Sequence, residues 1–359
     1  MTDVYKQLAE RLDQLPQGYP ATDSGVELKI LQKIFTSEDA EMALKLKCLP
    51  ETADAIADRL GEPVEDTRTT LDKMAEKGQI ESSTHKGQQV YMLAPFVVGI
   101  YEYQVYRLDR ELVELFEEYF PVLSKSLGGY EPAIARTIPI NTNLKQDSQI
   151  QPYENLTQML ESAKSFNVID CVCRKERAIM GKPCDHSLEV CLNFSQEKGV
   201  YDYFLRGGRI ISKAEAFKVI AQAEAEGLIH NVFYNTKEGH GTVCNCCSCC
   251  CEVIRAAKEY GAIHTFAKSN YLALIDSDEC TACGVCADER CQMDAISVED
   301  DIYQVMNTLC IGCGVCTISC PADAIKLIPR PEAEQDIPPD DFVDWSIKRA
   351  ENRGIKLEV

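Results

Sequence analysis

This 359-residue chain lacks several things. No stretch approaches the roughly 18 apolar residues of a membrane span, which excludes a transmembrane helix. The opening, MTDVYKQLAERLDQLPQGYP, mixes polar and apolar residues and does not read as a secretory signal, so a cytoplasmic location is expected. No Ser/His/Asp set, phosphate loop or flavin motif is present. The Gly-Gly-Arg at 207–209 is too short for a nucleotide loop and reads as a turn. Positive charge is scarce: 37 Lys and Arg face 57 Asp and Glu, a formal net charge of −20. Such a surface repels nucleic acid and anionic membrane and suits basic protein partners.

Thiols are abundant. The chain has nineteen cysteines, and residues 244–251 read CNCCSCCC. In a reducing cytosol they are not expected as disulfides, and their number is odd. Metal or cluster ligation is the remaining common use. Length alone suggests two or three domains.

Residues 24–95 begin with SGVELKILQKIF, helical in period, followed by ETADAIADRLGEP and VEDTRTTLDKMAEKG, with Gly61 and Gly78 placed as helix stops. QIESSTHKGQQVYMLAP then reads as a hairpin turning near Lys86-Gly87. This order resembles winged-helix regulators. DNA affinity needs clustered Lys or Arg. Residues 1–95 instead hold eleven basic and seventeen acidic side chains, and the helix at 64–77 sets Glu65, Asp66, Asp72 and Glu76 against Arg68, Lys73 and Lys77. DNA is therefore not the expected partner. A docking or dimerisation module is, with a homo-oligomer as one outcome.

Residues 100–127 read as one or two amphipathic helices, their aromatic stripe going to core or interface. ARTIPI reads as a short strand and YENLTQMLESAKSF as a helix. Ser212 and Glu215 have capping-box spacing ahead of KAEAFKVIAQAEAEG, which Gly227 stops. Residues 331–340 are proline-rich and acidic. A short helix follows around FVDWSIKRAENRG, with Trp345 as its anchor on the body or on a partner.

The strongest signal is a repeat: CTACGVCADERCQMDAI from 280 and CIGCGVCTISCPADAI from 310. Three cysteines two residues apart can wrap three corners of a [4Fe–4S] cubane, and a fourth must come from elsewhere. Gly284, Gly312 and Gly314 let backbone approach it. Zinc, the alternative, takes four ligands in all from paired C-x-x-C arms, not this pattern of eight. The segment from about 270 to 328 resembles bacterial two-[4Fe–4S] ferredoxins. The resemblance implies a pseudo-two-fold β-α-β pair, one cluster on Cys280, Cys283, Cys286 and Cys320, and another on Cys310, Cys313, Cys316 and Cys291. The first repeat departs from the pattern. It has four residues between Cys286 and Cys291 where the second has three, and Gln292 stands where the second has Pro321.

Ten cysteines lie in the middle: Cys171, Cys173, Cys184, Cys191, Cys244, Cys246, Cys247, Cys249, Cys250 and Cys251. Positions 244, 247 and 250 form one C-x-x-C-x-x-C register and 246 and 249 an offset pair. If CCCEVIRAAKEYG is helical, Cys247 and Cys251 share a face. Ten thiols suffice for one or two further clusters, one of them possible as a less usual type. Arg174 and Lys175 follow Cys173 and read either as charge compensation or as a solvated pair. His186 and His240 are read as non-ligands, and Cys48 as a small buried hydrophobe.

The combination is similar to larger iron–sulfur proteins of anaerobes, in which CxCR and CxCCxCCC segments precede a dicluster ferredoxin domain. The middle motifs are also similar to those of heterodisulfide-reductase-type proteins, but the CCG spacing is absent. The expected fold class is α+β. It comprises a winged-helix-like domain at 1–98, a helical cysteine-rich middle domain at 99–268, a ferredoxin-like dicluster domain at 269–330, and a linker with a terminal helix at 331–359. The expected function is electron transfer between redox partners, docked through the acidic surface, in an anaerobic oxidoreductase system. The rivals are a redox-sensing transcription regulator and a reductase with chemistry at a middle cluster.

Overall fold

Helix caps set the N-terminal architecture. The computed structural model describes residues 3–140, 150–203, 207–237 and 241–357. Asp3 caps α1 (Val4–Asp13), and α2 (Val26–Ile34) starts after left-handed Gly25. Thr36 and Asp39 form a capping box on α3 (Ser37–Lys45). Thr52 caps α4 (Ala53–Leu60), which Gly61 ends in a left-handed conformation. After α5 (Val64–Glu76), β1 (Glu81–His85) and β2 (Gln88–Met92) pair antiparallel across Lys86-Gly87. Both turn residues have positive φ, as a two-residue hairpin loop requires.

Most of the aromatic stripe of 100–127 is core, with Tyr106 exposed. Its second part is a single helix, α6 (Arg110–Leu127), whose buried face carries Phe116, Tyr119 and Phe120. Phe116 stacks on Tyr101 at 3.6 Å, and Tyr19 meets Phe96 at 4.6 Å.

The middle region departs from the helical expectation. Its frame is a sheet, made of β3 (Ala135–Ile138), β4 (Ser165–Asp170), β5 (Glu189–Ser195), β6 (Arg209–Ile210), β7 (Ile229–Phe233), β8 (Gly241–Cys246) and β9 (Phe266–Ala267). The order is β6-β4-β5-β8-β7-β3-β9, antiparallel except for β3 beside β9. The strand expected at ARTIPI is β3, but the rest of the sheet was not expected; β7, buried at every position, lacks the alternation that marks a half-exposed strand. Four helices accompany the sheet: α7 (Leu156–Ser162), α8 (Val172–Ile179), α9 (Lys213–Ala225) and α10 (Glu252–Tyr260). Ser212 caps α9 by accepting from the Glu215 amide, and Gly227 follows its end with positive φ.

The C-terminal cysteine repeats sit between two small antiparallel pairs. β10 (Tyr271–Ile275) pairs with β13 (Ile325–Pro329), and β11 (Ile296–Glu299) with β12 (Ile302–Val305). Short turns stand where the resemblance implies helices. The extra residue between Cys286 and Cys291 is absorbed as a π-turn, in which the Cys291 amide donates to the Cys286 carbonyl at 3.0 Å. The chain then crosses the body, with buried Arg136 bonded to Glu154 at 2.7 Å and to Asp336. Helix α11 (Phe342–Arg353) docks on the body. Trp345 is fully buried and its Nε1 donates to the Ala133 carbonyl at 2.9 Å. Among the described residues, no helix is long and apolar enough to cross a membrane.

Candidate metal centres

Eight C-terminal thiols fall into two groups. Cys280, Cys283, Cys286 and Cys320 line one small cavity, and Cys291, Cys310, Cys313 and Cys316 line another. Each group thus takes one cysteine from the other repeat. The fourth cysteine of each repeat accepts a backbone N–H: Ala295 to Cys291 Sγ at 3.2 Å, Ala324 to Cys320 Sγ at 3.3 Å. N–H donors aimed at sulfur suit thiolates carrying the charge of a cluster. Gly312 packs so closely that a Cβ there would lie 2.1 Å from the Tyr271 carbonyl oxygen. The matching position in the first repeat is Ala282, held at φ 52, so the two loops are not equivalent. Burial pushes the Cys313 thiol up to about 12 and raises Cys316 as well. Loading a metal must therefore displace protons.

Residues 303–326 match the 4Fe-4S binding domain family (Fer4). The chain carries a 4Fe-4S binding domain. The matched stretch contains Cys310, Cys313, Cys316 and Cys320. Comparison with curated proteins and with solved structures finds no match.

The middle thiols divide in a way that their sequence registers do not. Cys184, Cys247, Cys249 and Cys250 lie with their sulfurs within 4.8 Å of one another, a donor set able to hold a metal. The other six form an unbroken run of sulfur contacts, Cys171–Cys173–Cys251–Cys246–Cys244–Cys191. Within it Cys246 and Cys251 are 3.2 Å apart. The registers 244/247/250 and 246/249 are thus overturned, because strand β8 extends through Cys246. Strand period two puts Cys244 and Cys246 on one face. The chain then turns, and the turn gathers Cys247, Cys249 and Cys250. Cys247 and Cys251 do not share a face either, since α10 begins only after Cys251.

Arg174 stands between the two sets. It is 4% exposed, donates to the carbonyls of Ser187 (2.7 Å) and Asn245 (2.8 Å), and lies close to Cys171, Cys246 and Cys247. Contact with Cys250 and the Arg174 charge hold the Cys247 thiol well below its usual range, against the effect of burial. Lys175 points elsewhere, pairing with Asp170 at 2.9 Å. His186 faces Glu226 at 3.6 Å, and His240 lies outside the described residues. Cys48 is half-buried, packed on the N-terminal core with Arg11 near its sulfur.

The sequence reading missed two features. The first is Gln292, which read there as a departure from pattern. Its Oε1 accepts from the amide (2.9 Å) and hydroxyl (2.8 Å) of Ser248, and its Nε2 donates to Gly227. It therefore clips Cys291's neighbour to the residue between Cys247 and Cys249. The second is a cavity of about 350 Å³ bounded by the six-thiol run, by Cys247 and Cys250 of the four-thiol set, by Phe116, Phe120 and Phe233, and by Glu102 and Glu252. Next to it, fully buried Glu176 accepts from Tyr101 Oη at 2.6 Å.

Burial pushes the Glu102 carboxyl from 4.5 up to about 7, although the Gly99 N–H at 2.7 Å pulls it down. Glu102 also lines the cavity. A raised carboxyl binds its proton more tightly folded than unfolded, so its stabilising effect is complete below about 4.5 and is lost as pH rises through about 7. Glu102→Gln is therefore expected to be more stable than the parent at pH 8, by about 2 kcal/mol, with the gap closing toward pH 5. Urea unfolding across that range tests this, and a pH-independent gap would show that the carboxyl does not titrate there.

Proposed function

We propose that this chain is a multi-cluster iron–sulfur electron-transfer protein, relaying electrons between redox partners as a component of an anaerobic oxidoreductase system. The observation that carries the reading is the Gln292–Ser248 clip, which joins the residue after Cys291 to the residue between Cys247 and Cys249. All eighteen cysteines outside Cys48 are read as ligands. Each C-terminal four-thiol set suits a [4Fe–4S] cluster, whose chemistry is one-electron exchange. The four middle thiols, within 4.8 Å of one another, are spaced for a single metal ion and would have to spread to hold a cubane. The chain's own residues supply the route: the C-terminal pair of sets, the Gln292 clip, the four-thiol set, Arg174, and the six-thiol run. Cys283 is exposed and flanked by Asp276, Asp278, Glu279, Asp288 and Glu289, a docking surface for a basic partner. Such docking weakens with salt.

The N-terminal helices and hairpin are read as a winged-helix-like docking or dimerisation module. Of three basic residues at 64–77, Arg68 is paired with Asp54 (2.9 Å) and Lys77 with Asp39 (2.8 Å), which leaves little for phosphate. The apolar cavity beside the six thiols favours a second reading, a reductase with its chemistry at the middle site.

Anaerobic purification with iron and acid-labile sulfide counting tests the proposal. About sixteen iron or more per chain supports it, and about eight confines the chemistry to the C-terminal repeats. Zinc in the middle region would overturn the relay.

A further inference from the structure

We infer that Cys171, Cys173, Cys191, Cys244, Cys246 and Cys251 together ligate one iron–sulfur group that takes six thiolates, unlike a four-thiolate cubane. This rests on the reading of the chain as a multi-cluster iron–sulfur protein.

The six thiols are one set by contact and by origin. Each touches another of the six, in a run without a gap. They arrive from four elements: the start of α8 supplies Cys171 and Cys173, β5 supplies Cys191, β8 supplies Cys244 and Cys246, and the start of α10 supplies Cys251. The neighbouring set of Cys184, Cys247, Cys249 and Cys250 already has four sulfurs and needs none of these. A cubane has four iron corners, so it would leave two of the six unused.

Burial alone does not decide the matter, because an unligated cysteine packs well as a small hydrophobe. The surrounding donors do. Cys171 is the N-cap of α8 and Cys251 the N-cap of α10, and neither helix start has a side-chain cap. Two positive helix ends thus converge on the same sulfurs. Asn231 is 1% exposed, its Nδ2 has no oxygen or nitrogen acceptor, and it lies against Cys246. Arg174 adds a full buried charge close to Cys171 and Cys246. Neutral spare thiols need no such array of donors, whereas a group bearing six thiolates does. The set borders the 350 Å³ cavity, which Cys247 and Cys250 of the neighbouring set also line.

The test is a set of six single Cys→Ala variants of the full chain, with Cys48→Ala as control. All are purified anaerobically with ⁵⁷Fe and read by iron content and Mössbauer spectroscopy. Where an alanine variant does not fold, the serine variant at that position is read instead. All six are expected to alter the same spectral component, and to leave the other components and the control unchanged. A silent position among the six overturns six-fold ligation. Two components, each answering to its own three positions, overturn the single group. In either case iron in the middle region leaves the electron-transfer reading standing, whereas no iron there removes both.

Discussion

Stripping iron under anaerobic, reducing conditions is expected to unfold residues 271–329 while helices α1–α5 stay folded. The C-terminal repeats have almost no core of their own. Their buried cluster consists of Tyr271, Leu272, Ala273, Ala295, Ile325 and Leu327, together with Cys286, Cys310 and Cys316. Its only sheets are two antiparallel pairs, and a lone pair of strands is marginal in water. A unit this small needs a metal or a cross-link to hold together. The bound metal and its eight thiolates are then the main source of stability, and metal affinity becomes folding free energy. Hydrogen exchange read by mass spectrometry decides it. The amides of β10 to β13 should lose protection by two orders of magnitude or more on chelation. Unchanged protection there would mean that the thiols do not hold the fold.

Trp345→Ala is expected to destabilise the protein by about 3–5 kcal/mol, among the largest single-residue effects in the molecule. The indole is fully buried, with Tyr234 4.6 Å away and Phe342 stacked at 5.8 Å. Truncation removes this packing and leaves the Ala133 carbonyl without its donor. It also frees the helix that positions Arg349, whose guanidinium donates to the carbonyls of Pro16, Leu127, Tyr130 and Pro132. Burial lowers the Arg349 pKa to about 9, so those four carbonyls do much to keep its charge in place. Denaturant unfolding by tryptophan-independent circular dichroism measures the loss. A change below 1 kcal/mol would show that α11 is a passive attachment.

Local signals carried far in this sequence. The Ser212 cap, the helix stops at Gly61 and Gly227 and the Lys86-Gly87 turn each report a short-range constraint, and each appears where its spacing places it. Of the middle sheet only β3, at ARTIPI, left such a mark. β7 is buried at every position, and periodicity cannot separate such a strand from a buried helix. CNCCSCCC was hardest because it changes conformation within eight residues. Strand, turn and helix start follow one another there, so equal sequence intervals do not mean equal directions. The Gln292 contact could not be read, since its partner Ser248 is 44 residues away and is brought near only by the tertiary fold.

The contacts of α11 also bear on how the chain folds in time. Arg349 reaches Pro16 across 333 positions, and Arg353 reaches Asp13 across 340. Closures over such distances make folding slow, because the chain entropy is lost before the contacts reward it. Every thiol of the metal sites lies between those two segments. Docking of α11 on the N-terminal segment therefore closes one long loop of chain around every thiol of the metal sites.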